Sequence, residues 1–286
     1  MKVFSDGSAM RTWSRQLRAA GKSIGFVPTM GALHEGHLSL MRAAARENDA
    51  AAASIFVNPT QFAPHEDLDR YPRMLDRDLE LAESAGIQAV FTPAPQTMYP
   101  PDFSTWITVE GVSQGLCGAS RPHFFRGVAT VVAKLFHIVD PDRAYFGRKD
   151  AQQCAVIRRM VRDLDMPIEI TEMPIVREPD GLAMSSRNLY LTPEERKRAL
   201  CLSRALFAAL DRMRAGERNA ATLIELVRQE MSEVDIDYVS LVDADTMESV
   251  ENIDRRVLLA VAANLPSARL IDNVIFDPDN PGDREP

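Results

Sequence analysis

One stretch near the amino terminus, residues 24–45, constrains the fold more than any other part of the chain. It opens with a short apolar run, residues 24–27, of the kind that forms a buried parallel strand. Pro28 and Gly31 then break the strand, and after Gly36 the apolar residues recur at helical spacing. This order predicts a strand, a tight loop and a helix whose first N–H groups favour an anion beyond the strand's carboxyl end.

Two histidines, His34 and His37, lie three residues apart at the junction of loop and helix. Residues at this spacing share one face of a helical turn, and Gly36 between them leaves room for a close ligand. Imidazole donors, backbone N–H groups and a glycine together suit a triphosphate that is attacked at phosphorus. The spacing differs from the zinc-protease motif His-Glu-x-x-His, in which the histidines are four residues apart. Taken alone, the pair could also be merely structural.

Composition limits the classes of protein to which the chain can belong. Lys and Arg number 33 against 41 Asp and Glu, and the net charge of −8 argues against general nucleic-acid binding. Apolar residues make up 45% of the 286 residues, as in an ordinary globular protein. No apolar run reaches membrane-spanning length, and the first residues lack the apolar core of a signal peptide. The three cysteines are odd in number and far apart, which predicts reduced thiols in the cytoplasm.

Strand and helix patterns alternate along the first part of the chain. Further strands are predicted over residues 51–57, 87–91, 144–146 and 168–171. Helices are predicted over residues 8–20, 74–85, 127–139 and 151–163. This alternation predicts a parallel α/β sheet with ligands beyond the carboxyl ends of its strands. The histidine pair, Asn58 and Gly147 all follow strands and are expected at that edge, whereas residues 106–109 alternate like an edge strand.

After Val176 the pattern changes. Residues 192–195 combine an N-cap threonine, a proline at the first helical position and a capping-box glutamate. They predict a long helix, after which a second helix and three short strands follow. Helices followed by strands predict a smaller α+β domain, so we place the two domains at residues 1–175 and 176–286. The tail from Asp277 is rich in Asp, Pro and Gly and is predicted to be flexible.

Three longer motifs occur in the chain: GFVPTMGALHEGHLSL at 25–40, FVNPTQF at 56–62 and DGLAMSSRN at 180–188. In this order they resemble the pantothenate synthetase family, which joins pantoate to β-alanine at the expense of ATP, and the resemblance covers nearly the whole chain. It implies a Rossmann-like nucleotidyltransferase domain, related to class I aminoacyl-tRNA synthetases, with a smaller C-terminal α+β lid domain. It also implies a homodimeric ligase of pantothenate biosynthesis, on the coenzyme A pathway, that uses ATP with Mg²⁺.

The resemblance also assigns site residues by their place in the motifs. The ATP-binding residues that it implies are Met30, Gly31, Ala32, Leu33, His34, Glu35, Gly36, His37, Gly147, Arg148, Lys149, Asp150, Val176, Met184, Ser185, Ser186 and Arg187. The residues implied in catalysis are His37, as a proton donor, and with it His34, Lys149 and Arg187. Gln61 and Gln153 resemble the residues that hold pantoate, whose hydroxyl and carboxylate suit the donor and acceptor of an amide.

The chain departs from the usual family pattern in two regions. Before Lys149 the family commonly has glutamate, where Arg148 reverses the charge, and Ala151 removes an aromatic ring. Phe124 occupies a place where the family often has histidine, and His123 lies one residue earlier, so a role for that histidine does not transfer. Because Lys149 is intact, we do not interpret these changes as loss of activity.

The mechanism that the resemblance implies has two steps. The pantoate carboxylate attacks the α-phosphorus of ATP and pyrophosphate leaves, and the β-alanine amine then attacks the resulting pantoyl-adenylate with loss of AMP. Asp76 and Asp78 lie where the family places metal contacts, but no metal ligand is assigned. Two alternatives stay open: another nucleotidyltransferase of the same superfamily, since the histidine pair is shared, and a nucleotide-binding protein without catalytic activity.

Overall fold

The computed structural model describes residues 1–64 and 66–281, and these form two compact units. The first unit comprises Met1–Val109, Arg121–Gly147 and Val156–Met173. The second comprises residues 110–120 and 148–155 together with the chain from Pro174 onward. Each unit is therefore built from three separate segments of the chain, and no single boundary in the sequence divides them. The end of the predicted flexible tail, residues 282–286, lies outside the described residues.

A parallel six-stranded sheet forms the centre of the first unit. Its strands are β1 (Lys2–Phe4), β2 (Ile24–Thr29), β3 (Ala50–Ile55), β4 (Ala89–Phe91), β5 (Arg143–Gly147) and β6 (Glu169–Met173). They lie in the order β1-β4-β3-β2-β5-β6, and each pair of neighbours is parallel. The expected Rossmann-like α/β fold is confirmed. Because β2 lies between β3 and β5, the segments that follow these three strands leave the sheet at the same edge.

Helices connect the strands. Along this part of the chain they are α1 (Gly7–Ala19), α2 (Glu35–Glu47), α3 (Leu75–Ser84), α4 (Pro95–Met98), α5 (Cys117–Ser120), α6 (Phe124–Val139) and α7 (Ala151–Asp163). Helix α5 belongs to the second unit, as does the beginning of α7. One face of α2 is apolar, and its Leu38, Met41 and Ala44 are buried in a cluster with Val27 of β2 and Ala53 of β3. Burial of this face holds α2 against the sheet, with its amino terminus at the carboxyl end of β2.

One expectation for the first unit is wrong. The alternation over residues 106–109 predicts an edge strand, yet no strand is assigned there in the described part of the chain. The Ile107 N–H donates to the Thr130 hydroxyl of α6 at 3.0 Å, and the Arg126 guanidinium lies 4.5 Å from the centre of the Trp106 ring. The alternation of side chains along this segment thus reflects packing on α6 and not pairing within the sheet.

The second unit combines two long helices with a small antiparallel sheet, and the α+β expectation is confirmed. The helices are α8 (Pro193–Arg214) and α9 (Ala220–Glu230), and the strands are β7 (Asp235–Asp243), β8 (Val257–Asn264) and β9 (Arg269–Phe276). The sheet has the order β7-β8-β9. Leu202 and Leu206 of α8 are buried in one cluster with Leu259 of β8 and Val274 of β9, so this unit has an apolar core of its own.

Two further properties bear on the class of protein. Among the described residues, no helix is long and apolar enough to cross a membrane. Cys117, Cys154 and Cys201 are all buried and in the thiol form, and burial raises the pKa of Cys201 to about 11. A buried thiol with such a pKa stays protonated and unreactive near neutral pH.

The start of α8 provides a stability prediction. Glu195 is 4% exposed, and its carboxylate accepts from the Thr192 N–H at 2.9 Å and from the Ser267 N–H and hydroxyl at 2.8 and 2.9 Å. These hydrogen bonds, that of the Thr192 N–H foremost, lower the pKa of Glu195 from 4.5 to about 2. A carboxylate with a depressed pKa stabilises the fold above its unfolded pKa, and this contribution is lost as pH falls through the folded value.

We therefore expect Glu195→Gln to lower the free energy of unfolding most above a pH of about 4.5, with the difference from the original protein shrinking toward a pH of about 2. Urea unfolding of both proteins across this range measures the difference directly. Glu194→Gln, at the neighbouring exposed position of the same first turn, is the matched control. A difference that did not change with pH would contradict the assignment.

Candidate active site

The loop between β2 and α2 is shaped by two residues with positive φ, Gly31 at +82° and Ala32 at +50°. Residues other than glycine adopt this conformation rarely. A Cβ on Gly31 would lie 2.9 Å from Asp78 Oδ2 and 3.1 Å from Ile55, so the position requires glycine for space as well as for conformation. The turned backbone directs the N–H groups of Ala32 and Leu33 at Asp78, which accepts both at 2.9 and 2.8 Å.

Asp78 lies in the first turn of α3 and is 1% exposed. Each of its two oxygens accepts one loop N–H, so the carboxylate fixes the loop. Asp76, two residues earlier, is exposed. Within residues 1–64 and 66–281, no three His, Cys, Asp or Glu side chains are grouped so that they could hold a metal ion. Mg²⁺ commonly binds through substrate phosphates with few protein ligands.

The two histidines occupy the start of α2. The helix begins at Glu35, slightly earlier than the sequence pattern indicates, so His34 is its N-cap and His37 its third residue. The His34 N–H donates to Nδ1 of His37 at 3.4 Å, and the two ring centres are 4.1 Å apart. In a neutral imidazole whose Nδ1 accepts a hydrogen bond, the proton lies on Nε2. In that tautomer the hydrogen-bond donor of His37 is Nε2.

Glu35, one of the predicted ATP contacts, has its side chain engaged elsewhere. It pairs with Arg42 two turns along α2, and both side chains are about half exposed. The hydrogen bond from Arg42 lowers the pKa of the Glu35 carboxyl. The backbone of Glu35 belongs to a helix amino terminus, which favours negative charge.

Asn58, which is predicted at this edge without a role, is the centre of a buried hydrogen-bond network that follows β3. It is 1% exposed. Its amide donates to Gln61 Oε1 at 3.0 Å and to the Gly127 carbonyl at 3.2 Å. Its Oδ1 accepts from the hydroxyls of Thr60 and Tyr99, both at 2.9 Å, and burial raises the pKa of the Tyr99 phenol, which keeps it a donor. The network fixes the orientation of Gln61.

Gln61 is brought to the loop that precedes the histidines. Its Nε2 lies 3.0 Å from the sulfur of Met30. Its backbone carbonyl accepts from Arg121 at 3.0 Å, and Arg121 in turn forms an ion pair with Glu66 and lies 3.9 Å from the centre of the Phe124 ring. No role for Arg121 is predicted from the sequence, because its link to Gln61 spans 60 residues of chain.

The turn that carries Lys149 belongs to the second unit, while Gly147 before it ends β5 in the first. Residues Arg148–Asp150 form one turn of 3₁₀-helix. The Lys149 side chain is 20% exposed, and its Nζ lies 3.6 Å from Asp150. The carbonyls of Arg148 and Lys149 both accept from the side-chain amide of Asn273, at 2.9 and 3.0 Å.

Gln153 follows in the first turn of α7 and is partly exposed. Its neighbour Gln152 is buried and donates to the carbonyls of Val112 and Gly115 at 3.0 and 2.7 Å. The start of α7 is thus tied to the segment 110–120 of the same unit, which fixes the direction in which Gln153 projects.

The remaining predicted ATP contacts lie together in the second unit. The Met184 N–H donates to the Val176 carbonyl at 2.9 Å. Ser185 caps the 3₁₀-helix that begins at Ser186, and its hydroxyl accepts from the Arg187 N–H at 3.3 Å. Ser185 and Lys149 line one small cavity of this unit. The structure therefore gathers the predicted site residues into two groups, one within each unit.

Comparison with known proteins decides the family. Residues 2–275 match the family model described as pantoate-beta-alanine ligase. The chain belongs to this family. Pantothenate synthetase from Moorella thermoacetica is 57% identical over 280 residues, which cover 97% of this chain and 99% of that protein. The protein of the same name from Thermotoga neapolitana is also 57% identical, over 96% of this chain and 100% of its own.

Solved structures of the family have the same fold. Pantothenate synthetase from Thermus thermophilus superposes with a TM-score of 0.90 at 46% identity, covering 96% of this chain and 99% of that one. Pantoate-beta-alanine ligase from Francisella tularensis, described as complexed with beta-gamma ATP and beta-alanine, has a TM-score of 0.79 at 32% identity and covers 98% of both chains. The family resemblance of the three sequence motifs is thereby confirmed over nearly the full chain.

Proposed function

We propose that the protein is an ATP-dependent ligase that condenses (R)-pantoate with β-alanine to give pantothenate, AMP and pyrophosphate through a pantoyl-adenylate. Membership of the pantoate–β-alanine ligase family over residues 2–275 supports the reaction. The observation that carries the proposal is the juxtaposition, in one unit, of an anion-favouring helix start with His37 and an oriented amide, Gln61, beside Met30. This arrangement provides for a phosphate and a hydroxy acid next to each other.

In the first half-reaction, the pantoate carboxylate forms a bond to the α-phosphorus of ATP and the bond to pyrophosphate breaks. We assign Gln61 and Gln153 to pantoate, and Met30, Gly31, Ala32, Leu33, His34, Glu35, Gly36 and His37 to ATP. Negative charge builds on the phosphate oxygens as the bond forms. His37 donates from Nε2 to that charge, which is the kind of stabilisation that acts mainly in the transition state.

The group in the second unit is assigned to the phosphates that leave. Lys149 and Arg187 supply positive charge, and Ser185 and Ser186 supply hydroxyls. Gly147, Arg148, Asp150, Val176 and Met184 complete the proposed ATP-binding residues. The lid role that the family resemblance implies for residues 176–286 stays a prediction.

Mg²⁺ is proposed to enter bound to the phosphates of ATP, and we assign it no protein ligand. Asp78 is occupied by the loop N–H groups of Ala32 and Leu33. In the second half-reaction the β-alanine amine attacks the acyl carbon of the pantoyl-adenylate and an amide bond forms. AMP leaves with the oxygen that joined its phosphorus to this carbon. The buried thiols are in keeping with the cytoplasmic location proposed for this reaction.

Turnover with omission controls tests the reaction. The complete mixture of ATP, Mg²⁺, pantoate and β-alanine should form pantothenate and AMP in equal amounts, whereas omission of either acid should abolish both products. ATP consumption at the same rate with and without pantoate would favour the alternative that the protein is another nucleotidyltransferase. Nucleotide binding without turnover would favour the protein without catalytic activity.

Assembly gives a further prediction. We propose a homodimer that uses residues 105–109, of which Thr105, Trp106 and Thr108 are exposed. The Ile107 N–H is directed to Thr130 of the same chain, so we assign the contact with a second copy to the exposed positions of this segment. Light scattering at micromolar concentration should give the mass of a dimer, and a monomeric mass would refute the proposal.

Thr108→Pro sharpens this test, since it removes the backbone N–H of an exposed residue in this segment. It should weaken the dimer, whereas Thr108→Val, which keeps the N–H, should not. If both variants remained dimeric at the lowest measurable concentration, the interface would have to lie elsewhere.

A further inference from the structure

The turn that carries Lys149 is held by a residue far away in the sequence, Asn273 of β9. Asn273 is 4% exposed. Its single amide nitrogen donates to two consecutive carbonyls, those of Arg148 at 2.9 Å and Lys149 at 3.0 Å. A nitrogen with two hydrogens shared between adjacent peptide groups fixes the positions of both. The backbone from which the Lys149 side chain projects is therefore set by β9.

Asn273 is itself held rigidly by its neighbour. Its N–H donates to Asp272 Oδ1 at 2.8 Å. Asp272 is 3% exposed, and its carboxylate accepts hydrogen bonds from both terminal nitrogens of Arg177, at 2.7 and 3.0 Å. A bidentate guanidinium–carboxylate pair of this kind is directional and strongly fixed. The backbone that carries the Asn273 side-chain amide is thus fixed by Asp272 and, through it, by Arg177.

The same anchor reaches the other proposed phosphate-binding segment. Arg177 also donates to the Gly181 carbonyl at 3.2 Å, within the turn that leads to Ser185. The cavity lined by Lys149 and Ser185 is lined by Asp272 as well. Consecutive residues of β9 therefore hold the two segments of the second unit that carry the proposed cationic and hydroxyl groups.

We propose that Asn273 is a positioning residue for the ligase reaction, which holds the Lys149 turn in the geometry that the ATP phosphates require. It acts through the Arg148 and Lys149 carbonyls. The inference rests on the proposed role of Lys149 at the phosphates. Without the two hydrogen bonds the turn relaxes, and a displacement of about 1 Å in a positioning group lowers the rate by up to about 10²-fold.

A double-mutant cycle tests the proposal, with pantoate-dependent exchange of labelled pyrophosphate into ATP as the rate. Asn273→Ala should lower this rate by about 10- to 10²-fold, and Lys149→Ala should lower it at least as much. If Asn273 acts through Lys149, the double variant should be no slower than Lys149→Ala alone, because the two residues serve one function. A purely structural residue would instead give losses that multiply.

Controls separate this outcome from misfolding and from failure of the proposed function. Asn264→Ala removes another amide of the same sheet, hydrogen-bonded to Asp235 at 3.1 Å, and should leave the rate unchanged. If Asn273→Ala does not fold at the assay temperature, Asn273→Ser, which keeps one donor, takes its place in the cycle. If the original protein shows no pyrophosphate exchange, the proposed ligase function is refuted. If Lys149→Ala exchanges pyrophosphate as fast as the original protein, the proposed role of Lys149 is refuted. Losses that multiply, or a fully active Asn273 variant beside an impaired Lys149→Ala, would overturn the positioning role alone.

Discussion

His37→Ala is expected to lower the rate of adenylate formation by about 10²- to 10³-fold, the usual effect of losing one transition-state donor. The physical reason lies in the first turn of α2, where Nδ1 of His37 accepts from the His34 N–H, an arrangement that in a neutral ring makes Nε2 the donor. The side chain is partly exposed and does not belong to the buried face of the helix. The variant should therefore keep its thermal stability, and the loss should appear in the rate constant.

Two further variants make the interpretation specific. His37→Gln keeps an N–H donor on a side chain of similar reach and should retain part of the lost rate. His137→Ala, at an exposed position in the last turn of α6, should behave like the original protein. Single-turnover measurement of pantoyl-adenylate formation gives all three rates. An unchanged rate in His37→Ala would remove this residue from the chemistry.

Asp78→Asn is the second large effect that we expect. The carboxylate accepts the N–H groups of Ala32 and Leu33, and an amide offers only one acceptor oxygen, so one buried N–H loses its partner. Such a group costs about 1–3 kcal/mol of stability. The loop also loses the contact that sets its positive-φ turn, and displacement of the adjoining histidines should lower the rate by about 10²-fold.

Asp76→Asn is the matched control on the same helix turn, since Asp76 is exposed. It should change neither stability nor rate. The dependence of the rate on Mg²⁺ distinguishes a loop anchor from a metal ligand. Excess Mg²⁺ should not restore Asp78→Asn, because the defect lies in the loop. Recovery of the rate at high Mg²⁺ would show instead that the carboxylate serves the metal.

Much of the fold follows from local sequence patterns. The predicted helix over residues 151–163 has those bounds in the structure, and each of the three predicted C-terminal strands is present. Strand β1 has no counterpart in the sequence prediction, because three residues show too little periodicity and their partner, β4, lies more than 80 residues away. Residues 106–109 show the converse error, since their alternation predicts an edge strand whereas the Ile107 N–H donates to Thr130 of α6.

The candidate site also contains residues that local sequence patterns indicate and residues that they do not. His34 and His37 could be proposed as site residues from the sequence because their chemistry and spacing are local. The anchors could not. Asp78 lies in a first helical turn, where an acidic residue is ordinary, and its link to the loop spans 46 residues. Asn273 reaches the Lys149 turn across 124 residues. A single sequence carries no local pattern that marks such contacts.

The order of events at the site is the central claim, and isotope exchange tests it most directly. If the carboxylate is activated before the amine arrives, then protein, Mg²⁺-ATP and pantoate without β-alanine should exchange labelled pyrophosphate into ATP. Arg187→Ala should depress this exchange strongly, since the arginine is assigned to the phosphates that leave. Pantoate-dependent exchange in the absence of β-alanine is the predicted result. Exchange that appeared only after β-alanine was added would contradict a free-standing adenylate and require a concerted reaction of all three substrates.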